Sequence, residues 1–151
     1  MLRRATADDL TSLLPLVRDF YEIDHHPYDE SRVVDALRPL LADDTFGQVW
    51  VVDESGSLGG YSVVTWGYSL ESGGRECILD EIYVASQSAG VGSELLTATL
   101  EGARLFGARS MFLETEAHNS RVRGFYLRHG FEIDDSVWMS RSLEVHRDTL
   151  D

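Results

Sequence analysis

The chain has 151 residues, a length that predicts one domain (residues 1–151) able to bury its own core. Apolar residues make up 43% and charged residues 26%, ordinary globular values, and no apolar run is long enough to cross a bilayer. A formal net charge of -13 excludes nucleic acid and anionic membrane surfaces as partners and favours cationic ligands.

The first residues, Met1-Leu2-Arg3-Arg4-Ala5, could form a short strand and lead into Asp8 and Asp9 without the apolar core of a signal peptide, so a cytoplasmic protein is expected. Thr6 reads as a helix N-cap, with Asp9 three residues on completing a capping-box pattern. Leu10, Leu13, Leu14, Val17, Phe20 and Tyr21 then recur at helical spacing, with Pro15 expected to kink the helix. A second helix is predicted from Ser31 to Ala42. The period changes at Gln48 to Val52, a strand, followed by turn chemistry at Glu54-Ser55-Gly56-Ser57 and a returning strand from Gly60 to Tyr68. After the turn at Glu71-Ser72-Gly73-Gly74 comes a strand from Cys77 to Val84, then a helix from Gly90 to Phe106 closed by Gly107. Met111-Phe112-Leu113 opens another strand, Asn119 to His129 forms a helix stopped by Gly130, and Phe131 to Leu143 is expected to give one or two closing strands. The order β-α-α-β-β-β-α-β-α-β-β predicts an α/β (α+β mixed) fold: a mixed, mostly antiparallel sheet flanked by helices.

All 13 basic residues are arginine, so neither a P-loop lysine nor a Schiff-base lysine is available. The one cysteine, Cys77, has no partner within the chain and no evident histidine, and reads as a core residue of a reducing compartment. His25-His26 lacks a helically spaced third ligand, so no metal is expected.

Two segments carry chemistry. Gln87-Ser88-Ala89-Gly90-Val91-Gly92 lies between a strand and a helix. Its glycines allow close backbone approach, and successive amides at a helix start suit an anion such as pyrophosphate; a plain tight turn is the competing reading. Position 95 is Leu95, where a dinucleotide fingerprint needs its third glycine. Downstream stand Asn119, Tyr126 and Gly130-Phe131. A tyrosine on that helix can donate its hydroxyl proton to a leaving thiolate or serve only in packing.

Together these residues resemble the GNAT superfamily of N-acetyltransferases. The family's Gln/Arg-x-x-Gly-x-Gly/Ala turn is matched by Gln87, Gly90 and Gly92, and its Asn…Tyr…Gly-Phe block by Asn119, Tyr126, Gly130 and Phe131. Leu79-Asp80-Glu81-Ile82-Tyr83-Val84 is similar to the family's fourth strand. The resemblance implies acetyl-CoA as co-substrate, its pantetheine arm paired with Ile82, Tyr83 and Val84 where that strand splays at a β-bulge. It implies a pyrophosphate on Gln87, Ser88, Ala89, Gly90, Val91, Gly92 and Ser93, with Asn119 along the cofactor and Tyr126 at the sulfur as general acid. The chain departs from the family in a strand-to-turn connection two residues short, in Ser88 and Ala89 where basic residues are frequent, and in Val122 for a small alanine; weaker cofactor affinity is the expected result.

Acetyl transfer to an amine requires the neutral amine, and Asp80 or Glu81 is the base candidate; strand alternation turns only one of them to the substrate unless a bulge intervenes. The acidic and aromatic residues around His25-His26, among them Tyr21, Glu22 and Tyr28, suit a cation and fall where the family walls its acceptor site; a solvated acidic loop is the competing reading. The expected acceptor is a primary amine: a small cationic amine, an amino acid derivative or a protein amine. A homodimer stays open. The competing class is a non-catalytic acyl-CoA-binding or sensor module on the same fold.

Overall fold

The computed structural model describes residues 1–86 and 88–145. They divide into two compact units, 1–114 and 115–151.

The first unit holds a five-stranded sheet. Its strands are β1 (Leu2–Arg4), β2 (Gly47–Glu54), β3 (Ser57–Ser69), β4 (Gly74–Val84) and β5 (Met111–Phe112), and they lie in the order β1-β2-β3-β4-β5. All neighbours are antiparallel except β4 and β5, which run parallel, so the sheet is mixed as predicted. The β2–β3 hairpin closes on two residues, Ser55 and Gly56, with φ of 56° and 97°, the backbone that a two-residue hairpin loop demands.

Helices α1 (Leu10–Ile23) and α2 (Glu30–Ala42) cover one face of the sheet. Leu13, Leu16, Val17, Leu37 and Leu41 pack there against Val49, Val51, Tyr61 and Val63. A short 3₁₀ turn, Ala7–Asp9, leads into α1, and the amide of Thr6 donates to Asp9 Oδ2 at 2.7 Å, the predicted reciprocal cap. Pro15 and Pro39 lie inside their helices, where each removes one backbone donor.

Helix α3 (Val91–Leu105) covers the opposite face. Val64, Cys77 and Ala103 pack together there, and the buried hydroxyls of Ser62 and Thr99 meet at 2.6 Å. Gly102 lets α3 press onto β2, since a Cβ at that position would stand 2.6 Å from Trp50 Cζ2.

In the second unit, α4 (Ser120–Arg128) is capped by Asn119, whose side chain accepts from the Val122 amide at 3.2 Å, and the chain leaves it through Gly130 at φ 87°. Here the structure departs from the sequence reading: residues 131–145 form no strand, and all but Phe131 are exposed. Alternating residues supply only half of a strand. The other half is a neighbouring backbone that pairs with it, and none does so among the described residues.

Candidate functional site

The bulge sits at Asp80, just ahead of the expected Ile82–Val84 segment. Val64 pairs with Leu79 and Val63 with Glu81, which leaves Asp80 as the extra residue. Its effect is to change which face the strand presents. Cys77 lies four positions before Glu81, and a regular strand would point both to one side. Cys77 instead packs beneath α3, whereas Glu81 stands opposite Val63 on the face of α1 and α2.

On that face Glu81 meets two phenols. Tyr21, near the end of α1, donates to Glu81 Oε2 at 2.8 Å, and Tyr61, on β3 and fully buried, donates to Oε1 at 2.7 Å. Tyr61 reaches Glu81 as the diagonal cross-strand neighbour of the Val63–Glu81 pair. Desolvation raises the Glu81 carboxyl above the usual carboxylate range, and the hydrogen bonds from Tyr61 and Tyr21 pull the other way. Burial, reinforced by the Glu81 charge, pushes both phenols far above their ordinary value, so they remain donors throughout the working pH range. Asp80 is exposed, yet the protein around it still raises its carboxyl by desolvation.

Further aromatic rings pack against the two phenols that hold the carboxylate. Phe20 packs against Tyr21, Tyr61 and Tyr83 with centroids 6.1, 6.5 and 5.9 Å apart. Tyr21 contacts Tyr28 at 6.0 Å and His26 at 6.2 Å, both edge-on. His26 Nε2 lies 2.9 Å from Asp24 Oδ2, and His25 holds a positive φ of 55° in the turn that presents it. The structure thus gathers Tyr21, Tyr28 and Glu81 from the predicted list, while Glu22 is exposed. Tyr61 is not legible as a site residue, because only strand register brings its hydroxyl to Glu81, and Phe20 joins only by packing against Tyr21 and Tyr61.

The predicted cofactor segments occupy the sheet edge and the start of α3. β5 pairs with β4 only at Cys77 and Ile78, so from Asp80 to Val84 that side of β4 carries no ladder partner among the described residues. The amides of Ala85 and Ser86 both donate to the Gly59 carbonyl, at 2.8 and 3.0 Å, which fixes where the chain leaves β4. Gln87 lies outside the described residues. Ser88 and Ala89 lead to Gly90, the α3 N-cap, whose φ of 82° is left-handed and whose missing Cβ faces open space. Val91, Gly92 and Ser93 form the first helical turn, where amides lack intrahelical acceptors. A cleft of about 540 Å³ between α3 and β5, lined by Leu100, Arg104, Ala108 and Met111, belongs to the face opposite Glu81.

In the second unit Tyr126 is half-buried between Phe125 and Phe131, with centroids at 5.3 and 5.5 Å, and burial raises its phenol. Asn119 spends its carbonyl oxygen on the α4 cap. Cys77 is buried, its thiol pushed up to about 11 by desolvation, as befits a core residue. Among the described residues no group of three or more His, Cys, Asp or Glu side chains could hold a metal, and no helix is long and apolar enough to cross a membrane.

Comparison with known proteins gives a consistent result. The model of the acetyltransferase (GNAT) family matches residues 10–131. An uncharacterized N-acetyltransferase of Bacillus subtilis (strain 168), YhfO, is 27% identical over 135 residues, covering 88% of this chain and 90% of that protein. An integron cassette protein from the mobile metagenome of Cole Harbour Salt Marsh superposes with a TM-score of 0.83 at 27% identity, over 95% of this chain and 91% of the other. The aminoglycoside N-acetyltransferase AAC(6')-Iy, solved in complex with CoA, shares the fold with a TM-score of 0.78 at 16% identity, over 95% and 94% of the two chains.

Proposed function

The chain belongs to the acetyltransferase (GNAT) family, and on that basis we propose that it transfers the acetyl group of acetyl-CoA to a primary amine, by direct attack within a ternary complex. The family match runs through both compact units, and we take residues 1–151 as one acetyltransferase domain. The carrying observation is Glu81, desolvated between two tyrosine hydroxyls on the stretch of β4 whose outer edge has no ladder partner among the described residues.

The residues fit the co-substrate. An unpaired strand edge can hydrogen-bond an amide-bearing arm as a further strand would. The first turn of α3, opened by Gly90, offers amides to a pyrophosphate. Acetyl-CoA supplies the acyl group as an activated thioester. The chain's own residues handle the protons. A lysine-like ammonium with a pKa near 10.4 costs roughly 4.6 kcal/mol to neutralise at pH 7, and Glu81 takes that proton, directly or through a water. The carbon–nitrogen bond forms as the carbon–sulfur bond breaks, Tyr126 gives the departing sulfur its proton, and the second proton of the attacking nitrogen leaves through water to restore the phenol.

The acceptor reading is a cationic amine. Net charge of -13 attracts cations, and the rings of Tyr28 and His26 stand edge-on to Tyr21, whose hydroxyl bonds the carboxylate. The fold relative in complex with CoA is an aminoglycoside N-acetyltransferase. Thiol release from acetyl-CoA across a panel of primary amines tests the proposal. Glu81→Gln and Tyr126→Phe should each lower kcat by about 10²–10⁴-fold. Acetyl-CoA that raises the melting temperature without thiol release from any amine would replace the enzyme with an acyl-CoA-binding module.

A further inference from the structure

We propose that Tyr21 and Tyr61 form a two-hydroxyl clamp that keeps Glu81 ionised and aimed, making both tyrosines positioning residues for the proton transfer. The proposal rests on Glu81 being the base.

The need for a clamp follows from the location. A carboxylate on the helix-covered face of the sheet loses hydration, and desolvation favours its protonated form. A protonated Glu81 cannot deprotonate an ammonium. One donor on each carboxylate oxygen, at 2.8 and 2.7 Å, opposes that loss. The two donors come from separate elements, α1 and β3, so together they fix the carboxylate plane as well as its charge. An ionised carboxylate offers about four lone-pair sites, so two remain for the incoming proton. The other titratable groups facing Glu81 divide in sign: Asp80 next to it favours the protonated form, and His26 after α1 favours the charged one. Tyr28 lies behind Tyr21, edge to face, and raises its phenol. Tyr21 and Tyr61 are thus the only direct hydrogen-bond donors to Glu81 among the described residues.

The assignment gives Tyr21 a role different from contacting the acceptor, and the two roles separate experimentally. Tyr21→Phe and Tyr61→Phe keep the rings and remove one donor each. With saturating acetyl-CoA, the acidic limb of kcat/KM for the amine should move up by about one pH unit in each variant, with KM little changed well above the limb. Well below the original midpoint that means about a tenfold loss of rate. An NMR titration of the ¹³C-labelled Glu81 carboxyl, identified by its absence in Glu81→Gln, should report the same upward move in Tyr21→Phe without any turnover. This second reading holds even where Tyr61→Phe, cut into the core, fails to fold. An unmoved carboxyl in folded Tyr21→Phe overturns the clamp. A rise in KM with no shift of the limb also overturns it, because that pattern belongs to an acceptor contact. Full turnover in Glu81→Gln removes the base reading and the clamp's function with it, whereas its loss alongside unshifted tyrosine variants leaves the base standing and sinks the clamp alone.

Discussion

Gly102 is where the packing of α3 can be tested against its role at the edge of the sheet. In Gly102→Ala the new methyl would stand 2.6 Å from Trp50 Cζ2, 2.8 Å from Gln48 Oε1 and 3.0 Å from Trp50 Cε2. Relaxed carbon contacts lie near 3.5–4.0 Å, so α3 or Trp50 must give by about 1 Å. Trp50 has little freedom to do so. Its indole donates to Gln48 Oε1 at 3.2 Å, Gln48 donates onward to Asp44 at 3.1 Å, and the Arg4 guanidinium, itself paired with Asp44, lies over the ring at 5.7 Å. Overpacking of this kind costs about 1–3 kcal/mol, and the helix propensity of alanine returns about 1 kcal/mol. With two anchored neighbours the net should fall near 1–2 kcal/mol, a drop of about 2–8 °C in melting temperature for a chain of this size. Displacing α3 also displaces the amides of its first turn, so KM for acetyl-CoA should rise several-fold while kcat at saturation holds. Thermal melts followed by steady-state kinetics read both effects. A melting temperature that stays level or rises would show that α3 does not lie this close to β2.

Gly124, inside α4, gives the opposite expectation: its Cβ would meet only the mobile end of Arg128 at 3.4 Å, so Gly124→Ala should stabilise by about 0.5–1 kcal/mol in denaturant titration. Asp9, buried and bonded to Arg3 at 2.9 Å on both oxygens, has its carboxyl held below the ordinary range, so its stabilisation is present above about pH 3.9 and is lost as pH falls through the lower folded value; Asp9→Asn should flatten that acid limb and cost about 1–3 kcal/mol at neutral pH. Glu81 has the reverse sign: its raised carboxyl favours the fold while protonated and loses that contribution as pH rises through the folded value. Glu81→Gln should therefore melt higher than wild type at neutral pH while turning over more slowly; a lower melting temperature would show that the charge is fully compensated.

The elements were legible because their signals are local. The capping pattern at Thr6 and Asp9, the Ser55-Gly56 turn and the glycines at 90, 107 and 130 each mark a boundary by conformational need, and α1, α2, β2 and β3 lie within a few residues of expectation. The strands expected from Phe131 to Leu143 do not form, since alternation describes a side chain's preference and says nothing of the partner backbone that a strand requires.

Glu81 shows a deeper limit. Asp80 and Glu81 were indistinguishable as sequence, and simple alternation would have grouped Glu81 with Cys77 beneath α3. The inserted Asp80 reverses that parity, and no local pattern in Leu79-Asp80-Glu81 announces a bulge, because it is defined by the register against Val63 and Val64 sixteen or more positions upstream. Tyr61 is hidden for the same reason: it reads as an ordinary strand residue until pairing sets its hydroxyl 2.7 Å from Glu81. The residues surrounding the carboxylate are thus a product of register and helix docking. That dependence explains why a family motif could identify β4 and the glycine turn while leaving the surroundings of Glu81 to be read from the three-dimensional arrangement.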